Sequence, residues 1–165
     1  MPPGSLKEFV EVASGGCAIG PNVVDVAAAA AGKTIVVFAL PGAFTPTCSA
    51  KHAPGYIAAA AELKAAGVDE IWCVSVNDVH VMGAWARDLK AAGAVRFLAD
   101  GEAEWVGALG LTQYIKSFGI RSKRYSMLIV DGVVRTLNME APGKLEASDA
   151  GTALKQARAL AAAPK

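Results

Sequence analysis

Two apolar segments constrain the fold of this chain more than any other feature. They read TIVVFAL (34–40) and EIWCVSV (70–76), and β-branched and aromatic residues dominate both. A short run of this kind, with little polar alternation, is typical of a strand buried on both faces, as in a parallel sheet that helices cover. Helical patterns follow each segment, over Ser49 to Ala66 and over NDVHVMGAWARDLKAAG (77–93). The order strand, helix, strand, helix predicts a parallel βαβ unit.

Turn and breaker residues organise the rest of the chain. Pro54-Gly55 lies inside the first predicted helix, so we expect that helix to bend or restart there and to end at Gly67. The segment YSMLIV-DG-VVRTLN (125–138) predicts two antiparallel strands joined by an Asp-Gly hairpin turn. A final helix is expected from about Ser148 to Leu160. Together these elements predict an α/β thioredoxin-like fold, with a mixed central sheet and helices on both faces, in one domain over residues 1–165.

Charge and cysteine content limit the function classes. Sixteen basic and fifteen acidic side chains in 165 residues give a net charge of +1, which favours a small-molecule or protein partner over nucleic acid or a membrane surface. Cys17, Cys48 and Cys73 form no C-x-x-C pair, so we expect free thiols in a reducing compartment. The chain is expected to be soluble and cytoplasmic as given, or organellar if a targeting segment has been removed. No glycine motif predicts a nucleotide cofactor.

The segment ALPGAFTPTCSAKH (39–52) contains most of the candidate catalytic residues. Cys48 follows a buried strand and opens a helix, where unpaired N–H groups and the helix dipole favour a thiolate over a thiol. Pro41, Pro46 and Gly42 make a stiff, tight turn, which could aim N–H groups and the Thr45 hydroxyl at one small volume.

Simpler interpretations stay open for each of these residues. Cys48 could be a buried apolar thiol, and Thr45 could only cap a turn or the helix. His52 lies one helical turn after Cys48 and could donate or accept hydrogen bonds near it, or lie on the surface. A metal site at Cys48 and His52 is disfavoured, because the sequence offers no second Cys/His pair.

The motif PGAFTPTC has the form P-x-x-x-T-x-x-C, and the chain resembles the peroxiredoxins at this point. SAKHAPGY, VSVND and KRYSM extend the resemblance to the type II, or peroxiredoxin-5, subfamily over about residues 34 to 138. The resemblance implies that Cys48 attacks a peroxide and becomes a sulfenic acid. It also implies that Thr45 hydrogen-bonds thiolate and peroxide, that Pro41 shields the site from water, and that Arg124 reaches over the thiolate. A permanently charged guanidinium would stabilise the thiolate and polarise the peroxide.

The resemblance leaves the recycling thiol open. Animal-type relatives place a second cysteine after the hairpin, where this chain has Ala147 and no cysteine. Cys73 matches the second cysteine of plant-type relatives, but it could equally be an inert core thiol, in which case glutathione, glutaredoxin or thioredoxin would reduce the sulfenic acid directly. Cys17 has no counterpart in the motif. The resemblance implies a homodimer, and the rival functions are a non-catalytic redox sensor and a structural protein with buried thiols.

Overall fold

The computed structural model describes residues 1–10, 21–91 and 93–163. The strands in these ranges are β1 (Ser5–Glu8), β2 (Asn22–Asp25), β3 (Thr34–Ala39), β4 (Glu70–Ser75), β5 (Arg96–Ala99), β6 (Thr112–Ile115), β7 (Gly119–Ser122), β8 (Tyr125–Val130) and β9 (Val133–Met139). The helices are α1 (Val26–Ala30), α2 (Ala53–Ala65), α3 (Val79–Asp88), α4 (Glu104–Ala108) and α5 (Ala150–Ala162), with a π-helical turn over Cys48–His52 ahead of α2. Cys17 lies outside the described residues.

The predicted βαβ unit is confirmed and forms the centre of the sheet. The described strands of the main sheet run in the order β2-β1-β5-β4-β3-β8-β9. β3 pairs in parallel with β4, and β4 pairs in parallel with β5. All residues of β3 after Thr34 are buried, which explains its continuous apolar sequence.

The predicted hairpin is also confirmed and forms the edge of the sheet beyond β3. β8 pairs antiparallel with β3 on one side and with β9 on the other. Asp131 and Gly132, which join β8 and β9, both have positive φ angles, of 48° and 72°. Two left-handed residues make the tight turn whose twist matches that of the flanking strands, and Asn-Gly or Asp-Gly is the usual sequence for it.

Helices cover both faces of this sheet, as predicted. α2, α3 and α5 pack on one face, over a core layer that includes Phe38, Cys73 and Trp85. α1 and α4 pack on the other face, over a layer that includes Trp72 and Trp105. The fold is therefore the expected α/β arrangement with two core layers. Within the described residues, every helix is too short or too polar to cross a membrane.

The helix after β3 differs from the prediction in its first turn. Its irregularity lies at Cys48–His52, where the N–H of Ala53 donates to the carbonyl of Cys48, five residues earlier. Regular α2 then begins with Pro54 in its first turn, a position at which the missing proline N–H costs least. The helix ends at Ala65, and Gly67, whose φ is 90°, lies just beyond it and stops it as expected. The last helix begins at Ala150 because the Asp149 carboxylate caps the N–H of Thr152 at 3.1 Å.

Candidate active site

Cys48 lies at the carboxyl edge of β3, at the start of the π-helical turn. Its side chain is buried, with 1% of its surface exposed. The loop before it folds on itself: the Thr45 hydroxyl donates to the Gly42 carbonyl at 2.8 Å, and the Ser49 N–H donates to the Thr45 carbonyl at 2.9 Å. Thr45 therefore caps the turn with its side chain and the helix start with its carbonyl, while its hydroxyl oxygen keeps lone pairs free to accept.

The end of β4 anchors the loop in front of Cys48. The Asn77 side-chain oxygen accepts from the Ala43 N–H at 3.0 Å and from the Ser75 hydroxyl at 2.7 Å. Arg121, at the end of the β6–β7 hairpin, donates to the Val76 carbonyl at 2.8 Å. Through these bonds the segment VSVND (74–78) connects the loop before Cys48 and the β6–β7 hairpin to the edge of the sheet.

Arg124 brings a guanidinium to the sulfur of Cys48. It lies just before β8, and its Nη2 donates to Cys48 Sγ at 3.5 Å. Its Nη1 lies 3.0 Å from His52 Nδ1. Arginine has only donors, so His52 Nδ1 must be the acceptor in this contact. One guanidinium thus bridges the thiol and the imidazole.

His52 is a buried hydrogen-bonding residue, so the surface interpretation of this residue is wrong. Its Nε2 lies 3.1 Å from the Ser148 carbonyl, which can only accept. The ring is therefore neutral, with its proton on Nε2 and a lone pair on Nδ1. Burial, followed by the charge of Arg124, lowers the pKa of His52 from 6.5 to about 4, although the Ser148 carbonyl opposes the shift.

The segment between β9 and α5 completes the site. The Glu140 Oε1 atom accepts from the backbone N–H groups of Glu146, Ala147 and Ser148 at 2.8, 2.7 and 2.7 Å, and from the Ser148 hydroxyl at 3.0 Å. Partial burial raises the pKa of Glu140, but these hydrogen bonds outweigh it and hold the pKa below its usual value. Sequence reasoning missed Glu140 and Ser148, because no motif or spacing links them to Cys48.

A cavity of ≈ 250 Å³ opens beside this cluster. Phe118 reaches it from the β6–β7 hairpin and is itself 55% exposed. The walls are mostly apolar, and Arg124 is the one cationic residue among the described residues that line them. The lining residues are Pro41, Thr45, Pro46, Thr47, Ile115, Phe118 and Arg124.

Cys73 and Cys48 lie in the same core layer, between the sheet and its helices. Cys73 is fully buried in the middle of β4. Burial, and then the neighbouring Cys48, raises the pKa of the Cys73 thiol well above its usual value. The described residues contain no group of three or more His, Cys, Asp and Glu side chains placed to hold a metal ion.

A thioredoxin-like sheet that presents one thiol to a guanidinium, beside a small cavity, defines a thiol-dependent redox protein. The Redoxin family model matches residues 5–154 of the chain. Peroxiredoxin-2B of Arabidopsis thaliana is 48% identical over 128 residues, which cover 76% of this chain and 79% of that protein. Peroxiredoxin-2E, chloroplastic, of the same plant is 46% identical over 138 residues. These cover 81% of this chain but only 59% of that protein.

A solved structure agrees with these relatives. Reduced Prx3 from Vibrio vulnificus, in complex with H₂O₂, is 45% identical, with a TM-score of 0.87 over 94% of each chain. The chain therefore belongs to the peroxiredoxins, a family of antioxidant thiol peroxidases, and within that family to the type II group. The resemblance drawn from the motifs is confirmed.

Proposed function

We propose that Cys48 reduces hydrogen peroxide and alkyl hydroperoxides through a sulfenic acid, in a single domain that spans residues 1–165. The thiolate sulfur attacks one peroxide oxygen, the O–O bond breaks, and the departing oxygen takes a proton to leave as water or an alcohol. The sulfur is oxidised to Cys48–SOH while the peroxide is reduced.

The contact of 3.5 Å between Arg124 Nη2 and Cys48 Sγ carries this proposal. A guanidinium stays charged at every physiological pH, so it stabilises the thiolate before the reaction. Because Arg124 also lines the cavity, the same group would stabilise the negative charge that develops on the departing oxygen. Such placed charges supply the largest share of many enzymes' rate enhancement. A thiol with only a packing role would not need this partner.

Thr45 and Pro41 fit the roles that the resemblance implies. The Thr45 proton is engaged by the Gly42 carbonyl, so its oxygen is available to accept the O–H of a hydroperoxide. Pro41 lines the cavity and has no N–H group to bring water to it. Ile115 and Phe118 add apolar walls suited to an alkyl group, and the Vibrio vulnificus neighbour holds H₂O₂ itself.

We propose that an external thiol, from glutathione, glutaredoxin or thioredoxin, reduces the sulfenic acid. That thiol attacks the Cys48 sulfur, water leaves, and a second thiol opens the mixed disulfide to restore Cys48. Cys73 is the alternative resolving thiol. Its complete burial and raised pKa keep it protonated, and a disulfide with Cys48 would require the π-helical turn to unwind.

The assembly and the compartment are further parts of the proposal. A homodimer follows from the family resemblance, and exposed apolar side chains support it. Phe118 lines the cavity, and the others include Phe44, Tyr114 and Ile120. Two free cysteines in the described residues support a reducing compartment, such as the cytoplasm or an organelle. Two of the relatives are named as chloroplastic.

Stopped-flow measurement of the peroxide reaction tests the proposal. Cys48→Ser should abolish the reaction, whereas Cys73→Ser, the matched buried-cysteine control, should leave it intact. Arg124→Ala should slow it by at least about a hundredfold, while Arg158→Ala, which removes an exposed arginine, should not. A wild-type rate constant near that of free cysteine would refute the peroxidase assignment in favour of a redox sensor.

The Cys73→Ser variant also decides whether Cys73 or an external thiol resolves the sulfenic acid. We expect turnover with glutathione, glutaredoxin or thioredoxin to survive this substitution. Loss of thioredoxin-dependent recycling, with an unchanged peroxide step, would instead identify Cys73 as the resolving thiol.

A further inference from the structure

We propose that Glu140 is a positioning residue of the peroxidase site, which holds the Ser148 carbonyl against His52 and thereby keeps Arg124 directed at Cys48. This inference rests on the proposed function of Cys48. It concerns a residue that lies outside every motif of the active-site segment and is not among the described residues that line the cavity.

The first step is the fold of the loop before α5. One carboxylate oxygen of Glu140 accepts hydrogen bonds from three successive backbone N–H groups and from the Ser148 hydroxyl. A carboxylate that accepts several N–H bonds is strongly held in its charged form and fixes the chain around it. Residues 146 to 148 are thereby wrapped around Glu140, and this wrapping determines the direction of the Ser148 carbonyl.

The second step leads from this carbonyl to the imidazole. The Ser148 carbonyl accepts from His52 Nε2 at 3.1 Å and from the Tyr56 hydroxyl at 2.8 Å. Both contacts are buried. An acceptor at Nε2 permits only the ring form with hydrogen on Nε2, which leaves the Nδ1 lone pair pointing at the guanidinium.

The third step concerns Arg124. Its Nη1 donates to the Nδ1 lone pair at 3.0 Å, which leaves Nη2 facing Cys48. The backbone N–H of Glu140 also donates to the Arg124 carbonyl at 3.0 Å. Glu140 therefore fixes both ends of Arg124, its backbone directly and its guanidinium through Ser148 and His52.

Loss of the carboxylate would undo these steps in order. Four donors would lose their common acceptor, and the Ser148 carbonyl would be free to turn away from His52. The ring could then carry its proton on Nδ1, where an N–H would face the N–H of Arg124. Two facing donors repel each other, so the guanidinium would leave the sulfur.

The test uses Glu140→Ala and the milder Glu140→Gln, which keeps an acceptor oxygen. We expect Glu140→Ala to slow the peroxide step about tenfold, and Glu140→Gln to slow it less. The matched control is Glu146→Ala, in the same loop, which keeps the backbone N–H that Glu140 accepts. It removes an exposed side chain whose hydrogen bonds, within the described residues, go to Lys144. It should react like the wild type, and urea unfolding should show that every variant compared is folded.

A double-mutant cycle separates positioning from general stability. In an Arg124→Ala background, Glu140→Ala should cause no further loss, because the residue through which Glu140 acts is gone. An equal loss in both backgrounds, or none in either, would overturn the proposal.

Nitrogen-15 spectra of the His52 ring give a readout that does not depend on activity. The wild type should show hydrogen on Nε2 alone, and Glu140→Ala should show a mixture of the two neutral ring forms. An unchanged ring in Glu140→Ala would contradict the anchoring of His52 by Glu140. If the wild-type protein did not reduce peroxide, the proposed function would fail, and this spectrum would still decide whether Glu140 fixes the ring.

Discussion

Acidification should destabilise this protein through His52, and the effect can be worked out from the site. The neutral ring accepts from Arg124 on one side and donates to the Ser148 carbonyl on the other. A proton added at Nδ1 would place two positive, donating groups against each other in a buried space. The Ser148 carbonyl and the carboxylates of Glu140 and Asp149 favour the charged ring, but burial and the charge of Arg124 outweigh them. The folded protein therefore resists protonation of this ring.

The pKa values give the sign and the size of the effect. The unfolded chain binds the His52 proton near pH 6.5, whereas the folded protein binds it only near pH 4. Between these values the unfolded state holds more protons, so the free energy of unfolding decreases as the pH falls through this window. The full shift corresponds to about 3 kcal/mol, most of which is lost by about pH 4.5.

Urea unfolding followed by tryptophan fluorescence, at neutral pH and near pH 4.5, measures this loss. His52→Asn is the matched variant, because it cannot titrate in this range and keeps an oxygen acceptor for Arg124. Its stability should fall with pH by about 2.5 kcal/mol less than that of the wild type. Carboxylates such as Glu140 and Asp149 titrate in both proteins and cancel in the comparison. Parallel pH profiles for the two proteins would refute the assignment of a buried neutral ring.

Two further predictions concern the cavity wall and the far edge of the sheet. Phe118→Ser should lower kcat/KM for cumene hydroperoxide about tenfold and leave the value for hydrogen peroxide unchanged, since it removes apolar surface that only an organic tail contacts. Tyr114→Ser, outside the cavity, should change neither value, and equal losses for both peroxides in Phe118→Ser would contradict the reasoning. Desolvation raises the pKa of Glu70, but hydrogen bonds led by that from Lys33 lower it to about 2. Solvent screening at this partly exposed ion pair reduces the effect of that shift, so Glu70→Gln should lower the free energy of unfolding at neutral pH by about 2 kcal/mol in urea titrations. A loss no larger than that of Glu62→Gln, an exposed control, would contradict this.

The elements that sequence reasoning predicted are those whose pattern alone specifies their environment. β3 and β4 are continuous apolar runs because both of their faces are covered. β5 was not predicted, because it has only four residues and begins with Arg96, and so gives no clear period. β6 and β7 were also missed. They form a separate two-stranded sheet with exposed Tyr114 and Ile120, which lacks the alternation of a half-buried strand.

The active-site residues also divide into those that local sequence signals predict and those that they do not. Proline, threonine and helix-start chemistry around Cys48 are local signals, so the cysteine could be singled out from its neighbours in the sequence. The choice of Arg124 among the arginines depended on the family resemblance. The structure gives three of the other arginines separate partners: Arg121 donates to the Val76 carbonyl, Arg96 binds Glu8 and Glu70, and Arg87 lies over the ring of Phe9.

Strand register explains why Arg124 reaches Cys48. β3 and β8 are antiparallel, with Ala39 opposite Tyr125, so the residue before β8 lies beside the chain that leaves β3 toward the cysteine. Side chains alternate between the faces of a strand, so a shift of this pairing by one residue would turn the β8 side chains to the opposite layers and take the guanidinium from the sulfur. The buried side chains of β8, such as Tyr125 and Met127 on one face and Leu128 on the other, oppose that shift. The packing of the hairpin, which has no chemistry of its own, therefore sets the geometry on which the proposed reaction depends.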